Sequence, residues 1–153
     1  MTRFARPVAA LSCLLLGAAP ALADNHVVQK ESPHSVAVTI DKLETAVKNA
    51  GATIFARVDH AGGAESVEME LAESELLIFG NPEIGTPAMQ DDALAGLQLP
   101  LKVLAYEDAE GQVQLAYERP AAMFEGYGVA PEADYLDQMA GALEKLTGAA
   151  TSE

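Results

Sequence analysis

The stretch Glu75 to Pro87, E-L-L-I-F-G-N-P-E-I-G-T-P, constrains the fold more than any other part of the chain. Leu76, Leu77, Ile78 and Phe79 form a continuous apolar run that stops at Gly80-Asn81-Pro82. Such a run, bounded by glycine and proline, reads as a strand covered by other parts of the chain and ended by a tight turn. Thr86 is then placed to cap a short helix with Pro87 at its first position, where the missing N–H costs nothing. Gly96 would end that helix. A buried strand with its turn chemistry at the carboxyl end is a natural position for a site.

The flanking segments supply the rest of a fold. Ile40, Leu43, Val47 and Ala50 fall on one face of a helix, with Thr39 as its cap, Asp41 and Glu44 in its first turn and Gly51 as its stop. Val36 and Val38 alternate before it as a short strand. Thr53 to Val58 reads as a strand, and Asp59-His60-Ala61-Gly62-Gly63 as the loop after it. Val67, Met69 and Leu71 alternate with Glu68 and Glu70, the pattern of a half-exposed strand. Leu101 to Tyr106 and Val113 to Tyr117 read as a hairpin, with Pro100 at a strand entry. Ala121 to Tyr127 reads as loose helical turn. A last helix opens at Pro131 and carries the stripe Leu136, Met139, Ala140, Leu143 and Leu146. The expected fold is a single α+β domain over residues 35–148, with residues 149–153 as a C-terminal tail. Its antiparallel sheet has about five strands, with helices packed on one face.

The amino terminus reads as an address rather than fold. Arg3 and Arg6 precede an apolar run from Val8 to Ala19, and Ala21-Leu22-Ala23 offers a small-residue cleavage site. This is the pattern of a secretory signal over residues 1–23, too short in its apolar part to span a bilayer. A flexible leader, 24–34, would follow, and the mature protein would be periplasmic or secreted, without a membrane anchor. Cys13 is the only cysteine and would leave with the signal. Disulfides, thiolate nucleophiles and cysteine metal sites are thereby removed from the mature chain. The formal net charge is −14, and it becomes −16 once Arg3 and Arg6 leave. That balance argues against nucleic acid, because phosphate binding needs clustered cations, and favours solubility in an exported protein.

Several separated motifs resemble the domain-of-unknown-function family 302. They are Asp59-His60, Ile78-Phe79-Gly80-Asn81-Pro82, Gly85-Thr86, Leu99-Pro100-Leu101, and the hairpin with Gly111 followed by Tyr117 and Pro120. The resemblance spans residues 35–128 and implies a compact α+β domain with an antiparallel sheet. It implies no particular reaction. Ala72-Glu73 departs from the pattern, standing where proline is expected before the central strand.

Three residues, His60, Asn81 and Thr86, are candidates for a ligand site. His60, after a strand and before glycines, could titrate near neutral pH or bind a metal, or simply satisfy a turn. A metal site needs three or four converging ligands, and His26 and His34 show no ligand spacing to it. Asn81 is first a turn device, but its amide, beside the first N–H groups of the Thr86 helix, could receive a polar or anionic group. Glu83, Asp91 and Asp92 lie close together in a chain rich in acids, which solvation explains. Met69, Met89, Met123 and Met139 sit at core-like positions. No serine-hydrolase elbow, phosphate loop or dinucleotide fingerprint occurs. Three functions stay open: binding of a small ligand, metal ion or protein partner near His60 and Asn81; an enzyme with His60 as acid or base; and a homodimer formed through the open sheet face. A polar open face would favour the first two, and a contiguous apolar one the third.

Overall fold

The computed structural model describes residues 26–153. The expected signal segment and the start of the leader lie outside the described residues. The element order is β1 (Val27–Glu31), α1 (Val36–Asn49), β2 (Thr53–Asp59), α2 (His60–Glu65), β3 (Ser74–Gly80), α3 (Pro82–Asp91), a 3-10 turn (Ala93–Leu97), β4 (Leu101–Glu107), β5 (Val113–Glu118), α4 (Pro120–Met123) and α5 (Asp134–Thr151). The strands form one five-stranded antiparallel sheet in the order β1-β5-β4-β3-β2. This is the α+β architecture that the sequence patterns predict.

Side chains alternate across the sheet, so one register separates two faces. Leu77, Phe79, Leu101, Val103, Ala105, Leu115 and Tyr117 point to one side and are buried. They meet Val36, Ile40, Leu43 and Val47 of α1 and Leu136, Met139, Leu143 and Leu146 of α5. The opposite face is open. At its centre lie Ala56 and Val58 of β2, Leu76 and Ile78 of β3, Leu104 of β4 and Ala116 of β5, with Lys102 and Tyr106 of β4 on the same face at either side of Leu104. Towards β1 it turns polar, with Gln29, Glu31, Gln114 and Glu118.

Several elements differ from the sequence reading, each for a local reason. The supposed leader contains β1, which pairs with β5 from Val27↔Glu118 to Glu31↔Gln114. Val36 and Val38 belong to α1, not to a strand. Val36 extends the buried helical stripe by one turn, and Ser35 is the cap, accepting from the Val38 N–H. Thr39 is therefore interior: its Oγ1 donates to the Ser35 carbonyl and shares a 2.7 Å buried bond with Ser32 Oγ. Asp59 Oδ1 accepts from Gly62 N at 2.7 Å and starts α2 where a loop was expected.

The strand expected over Val67, Met69 and Leu71 does not form. Val67 N and Met69 N both donate to the Ala64 carbonyl, and Glu68 stands at φ +59°. Both edges of β3 are already taken by β2 and β4. The last helix begins at Asp134 rather than Pro131 and runs through Thr151, past the expected boundary at 148. It buries Thr147 and Ala150 and leaves Ala140 exposed. Only the first part of 121–127 is helical, as α4. Of the methionines, Met123 and Met139 are buried, whereas Met69 and Met89 are exposed.

Candidate functional site

The turn that ends β3 works differently from the sequence expectation. Asn81 caps α3, its Oδ1 accepting from Glu83 N at 2.9 Å, with Pro82 at the first helical position. Asparagine is the stronger cap, and Pro82 fits the first turn as well as Pro87 does. Thr86 and Pro87 consequently lie inside the helix, which ends at Asp91 rather than Gly96. Asn81 has ordinary extended backbone, at φ −124°. The Ile84 and Gly85 N–H groups both donate to the Asn81 carbonyl. Since proline has no N–H, the first helical donors are all satisfied within the chain. An anion at this helix end would find none free.

Asn81 and Thr86 instead edge an apolar cleft of about 330 Å³. It lies where the start of β2, the end of β3, the start of β4, α3 and α5 come together. Phe79, Leu101, Met139 and Leu146 form its buried depth. Ile84 and Leu99 line it with partly buried side chains. Phe55, 57% exposed, and Met89, 40% exposed, stand at its mouth. The register of β2 slips between Ile54 and Ala56, which leaves Phe55 as the bulged residue. A bulge re-aims one side chain out of the alternation, and here that side chain reaches the cleft. Asn81 and Thr86 are its only hydrogen-bonding side chains, and no lining residue carries a titratable group.

His60 is not part of this arrangement. It follows β2 at the end where Asp59 pairs with Glu75, whereas Asn81 follows β3 at the end where Thr53 pairs with Gly80. At about 3.3 Å per residue, the strand length alone separates the two by roughly 20 Å. His60 is exposed, in the first turn of α2, and lines no cavity with Asn81. Asp59 caps the same helix and does not orient the ring. Among the described residues no group of three or more His, Cys, Asp or Glu side chains is placed to hold a metal ion. Thus Asn81 and Thr86 come together and His60 stands apart. Phe55, Met89, Met139 and Leu146 were missed as site residues, because only the closed fold brings apolar residues from five elements to one cleft.

The carboxylates near α3 are structural. Asp92 Oδ2 accepts from Gly128 N at 2.8 Å and Oδ1 from Leu94 N, which together hold its carboxyl below the ordinary range. Asp91 accepts from the Tyr135 hydroxyl at 2.7 Å; desolvation and this bond push the tyrosine up to about 12.

An open antiparallel sheet with one helical layer and an apolar end cleft defines the class of fold. The family model for the domain of unknown function DUF302 matches residues 28–146, and the chain belongs to that family. A crystal structure of an uncharacterized conserved DUF302 protein from Bacillus stearothermophilus shares the fold, with TM-score 0.66 and 17% identity over 82% of this chain and 95% of that one. Two fluoride-specific ion channels are similar in sequence. FluC 1 of Brucella suis biovar 1 (strain 1330) is 41% identical over 111 residues, 72% of this chain and 44% of that protein. FluC 2 of Brucella melitensis biotype 1 is also 41% identical over 111 residues, which make up 41% of its length. The chain thus spans less than half the length of the curated relatives it matches.

Proposed function

We propose that this domain is a non-catalytic binding module whose end cleft takes a small, mainly apolar ligand. The observation that carries the reading is the lining: an apolar cavity with two hydrogen-bonding side chains, Asn81 and Thr86, at its edge. Ligand sites of this size combine apolar walls with a few polar groups that fix orientation. The lining supplies no side chain suited to moving a proton, so the cleft favours binding over acid–base chemistry. The segment shared with the channel proteins is read as an appended domain and not as the conducting part. Among the described residues no helix is long and apolar enough to cross a membrane. Titration with a neutral apolar fluorophore tests the cleft. Binding should saturate in the parent and fall at least about tenfold in Ala142→Trp, which fills the cavity from α5. Equal binding by both proteins would refute the reading.

The apolar row Val58, Leu76, Leu104 and Ala116 across the open sheet face favours a second reading, face-to-face association of two copies. Five strands about 4.8 Å apart and about 20 Å long would bury on the order of 1,000 Å² in total, the lower limit for a specific interface. Sedimentation analysis should show a dimer that Ile78→Lys dissociates, and a parent that stays monomeric at all concentrations would end this reading. Export rests on the signal pattern alone. Amino-terminal sequencing of the protein from its own cell should find Asp24 first.

A further inference from the structure

The V-E-M-E-L segment that fails to become a strand is left as an unusual surface. Val67, Met69 and Leu71 are 63%, 67% and 55% exposed, three large apolar side chains within five residues. Met69 and Leu71 form one side of a groove of about 470 Å³ that runs past α2 and the start of β3 to Ala37 of α1. The N–H groups of Glu70, Leu71 and Ala72 have no partner within the described chain. Exposed apolar side chains in contiguous groups mark interaction surfaces.

The charge around the groove states what would cover it. Glu65, Glu70 and Glu73 line it, Glu68 lies beside it, and none of the four is in an ion pair. Arg57, which pairs with the lining residue Glu75, is also committed to Asp41 and Glu44. An apolar segment without charge would leave these carboxylates desolvated and unpaired, and an acidic one would be repelled. A segment alternating apolar residues with Lys or Arg answers both features. Its aliphatic side chains cover Met69 and Leu71, its cations meet the glutamates, and its carbonyls accept from the free N–H groups. We propose that this groove docks a cationic, apolar polypeptide segment of a partner protein. The site is separate from the end cleft and does not depend on it.

The probe is a short blocked peptide of alternating Lys and Leu, followed by fluorescence anisotropy against the full mature chain. Binding should weaken as salt is raised. It should fall at least about tenfold in Met69→Ser/Leu71→Ser and by a similar factor in Glu70→Gln/Glu73→Gln. Both pairs lie on an exposed segment, and thermal melting checks that each variant folds. A Lys-only peptide of equal charge should bind at least about tenfold more weakly than the Lys-Leu peptide. The proposal is overturned if the Lys-Leu peptide fails to bind below about 1 mM. It is also overturned if the Met69/Leu71 variant binds as the parent does, or if the Lys-only peptide binds equally well. A parent dimer that the Met69/Leu71 variant dissolves would assign the segment to a second copy of this chain and overturn it too.

Discussion

At the residue scale, the informative side chains are those whose partner comes from a distant part of the chain. Asn81 is the exception, because its role is local. Asn81→Ala removes a cap and should lower stability by about 1 kcal/mol, read as a shift in the urea midpoint. An unchanged midpoint would show that the Glu83 N–H is equally well satisfied by water. Thr39→Val is the contrasting case. It keeps the shape but leaves Ser32 Oγ, buried with it, without that partner. The cost should be about 1–3 kcal/mol, more than the cap. His60→Gln should change neither stability, beyond about 0.5 kcal/mol, nor binding of an apolar probe. A loss of probe binding in that variant would contradict the separation of His60 from the cleft.

At the element scale, what was legible in the sequence depended on how much of each element's reason is local. The stripe of α1, the run Leu76–Phe79 and the β4–β5 hairpin are set by periodicity and turn chemistry, and each appears where expected. β1 could not be read, because Val27–Glu31 has little alternation and becomes a strand only against the free edge of β5. The reverse holds at Val67–Leu71, where good alternation is overridden by the turn that closes α2, with Val67 N and Met69 N both bonded to the Ala64 carbonyl and Glu68 at positive φ. Half of the candidate site was legible for the same reason: Asn81 announces a turn by its type, whereas a bulge that aims Phe55 into a cleft has no sequence mark. The end of α5 gives an element-scale prediction. Residues 149–153 were expected as a tail, yet Ala150 is fully buried, and the Ser152 carbonyl accepts from His34 Nε2 at 2.8 Å and from Lys42. Truncation after Gly148 should cost about 1–2 kcal/mol in a denaturant melt, and a tail would cost nothing.

At the scale of the whole molecule, two electrostatic effects oppose each other as pH falls. The chain carries a net −14, so protonating carboxylates relieves self-repulsion and favours the compact state. Against this stand carboxylates that the fold holds ionised. Asp108 accepts from Gln112 N at 2.9 Å, from the Gln114 amide and from Glu110 N, closing the β4–β5 hairpin. Its folded pKa is lowered, first by the Gln112 bond. Glu144 is lowered by its bond to Lys30, across the α5–β1 contact, and Asp92 by Gly128 N. A depressed folded pKa contributes stability that is complete above the unfolded value of about 4 and is lost as pH falls through the folded value. The bonds are specific and short, whereas the repulsion is spread over an exposed, screened surface, so the bonds should win. The urea midpoint should therefore drop as pH falls below the unfolded carboxylate value of about 4, and Asp108→Asn should show a smaller drop because one of its sources is gone. A midpoint that rises on acidification would show that repulsion across the acidic surface outweighs the hairpin and helix contacts.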